Sequence, residues 1–195
     1  LEVCAGVTTP WSSHLGSEEW DPDAKYYDPA TGMIDDEDYD EAMFTYFGPD
    51  ATLTDLSPYD YGWTPEVFVD DEGNATGIKH YALGRFAHEL AYVMPDERTV
   101  YMTDDETNGA IFLFIADEAA DLSAGTLYAA KWSQTDDAGV GSAVIAWIKL
   151  ASGNDAEIKE WIDGGIQFVD LFEEGEASET GACSEGFSSI NTTTG

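Results

Sequence analysis

An arginine, a histidine and a glutamate fall within five residues in the stretch GRFAHE, Gly84 to Glu89. The chain holds only 7 Lys and Arg against 40 Asp and Glu, so such a grouping stands out from its surroundings. Two adjacent acids, Asp104 and Asp105, follow in TDDETNG, Thr103 to Gly109. Between these stretches lie the apolar runs LAYVM and TVYM, separated by Pro-Asp-Glu. Runs of this length and composition read as strands, which puts the carboxylates at strand ends. Carboxylates gathered there offer the oxygen ligands that hard cations prefer. The same residues also read as a solvated acidic turn, since loops are polar by default. The rest of the chain has to decide between the two.

The elements that would position these residues are mostly strands. YGWTPEVFVDDEGNATGIKHYAL reads as a hairpin, with a strand at Glu66 to Val69, a DDEGN turn and a return strand at Ile78 to Leu83. FVDDEGN and YMTDDETNG form a weak internal repeat of apolar strand, acidic turn and glycine. GTLYAAKWSQ, Gly125 to Gln134, adds a strand, while VIAWIKLA fits either strand or helix. Repeated antiparallel strands joined by acidic turns suggest a sandwich, a barrel or propeller blades. One helix is expected from about Ala156 to Asp163, with Asn154 or Asp155 as N-cap and Gly164 as stop. Asp21 to Asp55 is rich in Asp, Tyr, Gly and Pro and reads as a long surface insertion, residues 21–55, with a short helix near Asp38 to Phe47.

Composition bounds the function. A chain of 195 residues is expected to form a single domain, residues 1–195. A net charge of −33 argues against nucleic acid or an anionic membrane surface as partner. Hydration of a halophilic or marine protein in salt, or Ca²⁺ binding, accounts for such a charge. No run has the length of a transmembrane helix. The chain opens at LEVCAG without Met or signal peptide, which reads as a processed chain or part of a longer one. Sequons at Asn74 and Asn191 are compatible with export.

Several polar residues carry competing readings. Cys4 and Cys183, near opposite ends, are compatible with one disulfide in an exported protein. His88 reads as a core or supporting histidine rather than a ligand, and His14 and His80 carry no sign of ligation. Arg85 pairs with a local carboxylate or faces phosphate. Glu18, Asp70, Asp71 and Glu72 read as solvated.

CAGVTTPW…SEEW, KHYALGRFAHE, VYMTDDETNGAIFLF and the closing CSEGF, in this order, resemble successive signatures of the PhoX family of alkaline phosphatases. The resemblance extends from Cys4 to about Phe187. It implies an all-β fold, an antiparallel β-propeller with one short helical insertion, exported to the periplasm or beyond. It also implies Fe³⁺ and Ca²⁺ in the central channel and hydrolysis of small phosphate esters. By this resemblance Cys4, Glu89 and Glu185 match iron ligands at the catalytic centre. Glu19 and Asp105, or less directly Asp104, match calcium ligands. Thiolate with carboxylates suits iron and carboxylates alone suit calcium.

The departures are informative. The family's last motif is Arg-Pro-Glu-Gly, whose arginine holds the substrate phosphate; here it is Cys183-Ser184-Glu185-Gly186. A thiol supplies neither the charge nor the bidentate geometry of that arginine. The double glycine after Cys4 is reduced to Gly6 followed by Val7. At roughly forty residues per blade the chain supplies about four blades, so a partial propeller is expected. Two further readings stand beside the metal-dependent phosphatase or phosphodiesterase. One is a non-catalytic, calcium-stabilised propeller of an extracellular surface or assembly, and the other a metal-dependent hydrolase of another anionic ester.

Overall fold

The computed structural model describes residues 4–19, 22–32, 34, 37–48, 57–105, 109–175 and 187–190. The chain divides into two compact units, Leu1–Asp21 with Tyr61–Glu160 and Pro22–Asp60 with Trp161–Gly195. Its α-helices are α1 (Glu37–Phe47), α2 (Asp155–Asp163) and α3 (Phe168–Leu171). Among the described residues its strand pairs are all antiparallel.

In the first unit β1 (Val7–Thr8), β2 (His14–Leu15), β3 (Thr64–Val69) and β4 (Ala75–His80) form one sheet in that order. A second sheet runs β5 (His88–Val93), β6 (Thr99–Asp104), β7 (Ile111–Glu118), β8 (Asp121–Asp136) and β9 (Ser142–Asn154), again in chain order. Both are meanders, in which each strand pairs with the next, and no closed barrel or propeller is formed among the described residues. The expected hairpin is present with different bounds. Its return strand begins at Ala75, and Tyr81–Leu83 turns into a 3₁₀ helix. Gly84 ends that helix at φ +93°, and a Cβ there would meet Leu127 Cδ2 at 2.7 Å. The left-handed conformation favours glycine at the head of GRFAHE, and a Cβ there would also displace the end of the Leu127 side chain.

VIAWIKLA is strand, because β9 pairs along β8 from Asn154 to Ser142. The unit's core is built from inward positions of both sheets and from the 3₁₀ turn, with Leu15, Leu83, Val100, Met102, Phe114 and Leu122 all but fully buried. Each such side chain contributes about 1.5–3 kcal/mol by leaving water.

In the second unit the buried residues include Ala24, Ile34, Met43 and Tyr59. The Tyr59 hydroxyl accepts the Phe168 N–H at 2.7 Å and donates to Ala24 O at 3.4 Å. α1 covers the helix expected near Asp38 to Phe47, and α2 covers the one expected near Ala156 to Asp163. The last pair, β10 (Phe172–Gly175) and β11 (Phe187–Ile190), is a short antiparallel ladder.

Candidate metal centre

The three residues Ala87, His88 and Glu89 tie together the segments that carry the candidate ligands. Ala87 O accepts the Asp105 N–H at 3.1 Å, the His88 N–H donates to Glu18 O at 3.1 Å, and Glu89 O accepts the Ala5 N–H at 3.1 Å. Cys4 N–H donates to Ser17 O at 2.9 Å. Backbone pairing alone therefore draws residues 4, 19, 89 and 105 towards one place. Glu89 itself is a bulge. His88 pairs with Asp104 and Leu90 with Thr103, which leaves Glu89 as the extra residue of β5. A bulge re-aims the side chain it carries.

The side chains meet accordingly. The Cys4 thiol donates to Glu89 Oε2 at 3.2 Å. One ligand atom from each of Cys4, Glu19 and Glu89 lies within 4.8 Å of the others. Asp105 joins through a hydrogen bond with the Glu19 carboxyl. Cys4 carries a free thiol, so it is not part of a disulfide.

The electrostatics of this group are those of acids crowded together. The hydrogen bond to Glu89, then that to Glu19, pushes the Cys4 thiol up to about 12. For Glu19, the hydrogen bond from Cys4 works downward. Desolvation, the hydrogen bond with Asp105 and the charges of Glu89 and Asp105 outweigh it and hold the carboxyl above its ordinary range. One sulfur and several carboxylate oxygens within reach of a single point suit a cation that accepts both donors. A bound cation would supply the positive charge that both shifts call for.

The other expected residues fall as follows. Asp104, half-buried at the end of β6, accepts the Ala110 N–H at 3.3 Å and so holds its own turn. Glu185 and Cys183 lie outside the described residues. His88 is fully buried, with Nε2 at 3.0 Å from Gly84 O, Nδ1 at 3.3 Å from Thr64 Oγ1 and its ring stacked on Phe86. A carbonyl only accepts, so Nε2 carries the proton and Nδ1 accepts from the threonine hydroxyl. Burial holds its pKa down at about 4, which keeps the ring neutral. Arg85 Nε donates to Tyr61 O at 2.8 Å, a backbone carbonyl.

Asp70 to Glu72 are exposed, as expected, and His14 is exposed too. Glu18 corrects its expectation. It is buried, accepts the Trp63 N–H at 3.0 Å and pairs with Lys79 Nζ at 2.7 Å. It lies on the face opposite Ser17, and Lys79 supplies the charge that lets a carboxylate be buried there.

A second polar cluster is not evident from the sequence. His80 Nε2 contacts Glu66 Oε2 at 2.7 Å and His80 Nδ1 contacts Asp155 Oδ2 at 3.1 Å. Trp11 Nε1 donates to Glu66 Oε1 at 2.6 Å, and the Ser13 hydroxyl also donates to Glu66. Asp155 Oδ1 accepts the Ala82 N–H at 2.7 Å, tying the start of α2 to the 3₁₀ turn. The available signal was a charged residue at an inward position of a strand, two residues after Thr64.

The sequence profile of the family described as alkaline phosphatase PhoX matches residues 1–190. The chain belongs to the PhoX family. No curated protein and no solved structure matches it. Family membership points to an alkaline phosphatase-like, metal-dependent hydrolase acting on a phosphate ester. Among the described residues no helix is long and apolar enough to cross a membrane.

Proposed function

We propose that this chain carries part of the active centre of an exported phosphoric ester hydrolase, periplasmic or extracellular, with iron and calcium at the channel of a β-propeller. The observation that carries this reading is the convergence of Cys4, Glu19 and Glu89, drawn from three separate stretches of a PhoX-family chain, to within 4.8 Å. Cys4 and Glu89, with Glu185 from the closing motif, would hold iron. Glu19 and Asp105 would hold calcium, with Asp104 the lesser choice because its carboxylate holds the Ala110 amide. When bound, such cations polarise the phosphate and neutralise the charge that develops on it.

The chain's own residues do the positioning. The bulge presents Glu89 to the Cys4 thiol. Neutral His88, bonded to Gly84 O and Thr64, holds the backbone that aims it. Asp105 holds the Glu19 carboxyl by hydrogen bond, and exposed Cys4 leaves one side of the cluster open to an ester. At a net charge of −33 the protein would repel a phosphate ester until cations offset the local field.

The test is metal content together with hydrolysis of p-nitrophenyl phosphate by the purified protein. Iron and calcium with hydrolysis are expected. Cys4→Ser is expected to lose iron and hydrolysis while retaining a melting temperature that EGTA lowers. A protein that binds neither metal, and whose melting ignores chelators, would refute the reading. Cys183, standing where the family keeps a phosphate-holding arginine, favours a second reading, a non-catalytic propeller stabilised by calcium. That reading expects calcium without iron and no hydrolysis.

A further inference from the structure

Among the described residues, Ser17 Oγ is the one buried side-chain oxygen or nitrogen without a hydrogen-bond partner. Its residue is fully buried. A hydroxyl removed from water without a partner is costly, so each such case calls for a cause.

Its surroundings narrow the cause. The β2–β3 ladder continues beyond β2, with Gly16 N–H on Pro65 O at 2.8 Å and Glu18 N–H on Trp63 O at 3.1 Å. Ser17 is thereby opposite Thr64, in the pair that exchanges no backbone bonds, where side chains stand closest. Thr64 does not partner it: its hydroxyl is on His88 Nδ1 at 3.3 Å, and no oxygen or nitrogen lies within hydrogen-bond geometry of Ser17 Oγ. His88 has no capacity left, because its other ring nitrogen is on Gly84 O. Strand alternation puts Ser17 on the same side as Leu15, in the core, and Glu19, in the cluster with Cys4 and Glu89. Its own carbonyl accepts the Cys4 N–H. Ser17 thus lies between the apolar core and the thiol–carboxylate cluster, with an uncommitted hydroxyl.

We infer that Ser17 belongs to the centre as a positioning residue, donating its hydroxyl proton to an oxygen ligand that enters with the cation. This rests on the metal-centre reading above. The oxygen belongs either to a water on the cation or to the phosphate group of an ester. The two sources share one chemistry, an oxygen acceptor beside a cation.

The experiment compares wild type with Ser17→Ala and Ser17→Thr by calorimetric titration with Ca²⁺, alone and with inorganic phosphate, and by melting of the metal-free protein. Removing an orphaned hydroxyl leaves nothing unpaired, so Ser17→Ala should melt no lower than wild type when metal-free. It should bind Ca²⁺ about tenfold more weakly, the scale of one hydrogen bond. Ser17→Thr keeps the hydroxyl and should restore most of that affinity. A loss in the Ca²⁺ titration identifies water as the acceptor, and a loss confined to the phosphate titration identifies the phosphate oxygen. Unchanged affinity in both arms overturns the inference. So does a lower metal-free melting temperature of Ser17→Ala, which would mean that the hydroxyl is already satisfied without metal. If wild type itself binds no Ca²⁺, the metal-centre reading fails, an outcome distinct from failure at Ser17.

Discussion

The first unit holds two groups of acids that solve the same problem in opposite ways. Glu66 and Asp155 flank His80, and Glu66 also accepts from Trp11 and Ser13. Every acceptor in that group faces a donor or a cation within the chain. Cys4, Glu19, Glu89 and Asp105 face one another. Among the described residues no lysine or arginine pairs with Glu19 or Glu89. Buried charge is tolerated where it is paired and hydrogen-bonded, so the first group is complete without a ligand. The second has to keep protons, as the raised Cys4 thiol and Glu19 carboxyl do, or acquire a cation. The contrast teaches that acidity alone marks no site; a missing internal partner does.

The largest expected effect tests the complete group. Glu66→Ala removes the central acceptor and leaves buried His80 and Ser13 and half-buried Trp11 without it. Breaking a buried pair on one side costs about 3–5 kcal/mol. Urea unfolding should show that loss with or without added metal, and a loss that appears only with metal would erase the distinction between the clusters.

The next test is at the incomplete group. Glu89→Gln keeps the shape of the bulge but weakens the acceptor that Cys4 and a cation share. Even groups one step removed from a metal typically matter by 10–100-fold, so a direct ligand should cost at least about 100-fold in metal affinity. Phosphate-ester hydrolysis should fall in parallel, while urea unfolding without metal stays close to wild type. Intact affinity in the variant would remove Glu89 from the centre.

A pH series sharpens the contrast through His80. Burial works against its charged form, but hydrogen bonds to Asp155 and Glu66, and their charges, hold its pKa up at about 9. Asp121 also lies within its field. A raised pKa means that the folded state holds the proton more tightly. The contribution is fully present below the unfolded value of about 6.5 and is lost as pH rises through about 9. Stability should fall by of order 2 kcal/mol between these limits, and His80→Gln should flatten the profile. A wild-type profile flat from pH 6.5 to 9.5 would mean that the ring is neutral in the fold.

These clusters were legible to different degrees. Strand alternation, turn residues and the helix cap showed the antiparallel character, α2 and the approximate hairpins, because local pattern fixes local structure. The acids at positions 19, 89 and 105 stood out because acidic pairs and an HE step interrupt apolar runs, and the family resemblance gave them roles. The bulge at Glu89 was not legible, since nothing local separates a bulged residue from a paired one. His80 and Glu66 were missed because their pairing across β3 and β4, and the approach of Asp155 from α2, is a tertiary fact. Glu18 was misjudged for the same reason, its partner Lys79 lying 61 residues on.

The smallest effect is the most discriminating, because its sign differs from that at Glu66. Glu19→Gln replaces a carboxyl whose pKa its acidic neighbours raise with an amide that is neutral at every pH. The amide still offers an oxygen to the Cys4 thiol and an N–H to Asp105. What disappears is the cost of ionising Glu19 beside Glu89 and Asp105, so above the carboxyl's pKa the metal-free protein should melt slightly higher than wild type. With Ca²⁺ added the order should reverse, because a neutral amide binds the ion less well than a carboxylate and the ligand stabilises only what it binds. Thermal melts of both proteins with EGTA and with Ca²⁺ decide the point. A crossing of the two orders fits an acid group built to receive a cation. A variant that melts lower under both conditions would show that Glu19, like Glu66, is already compensated within the fold.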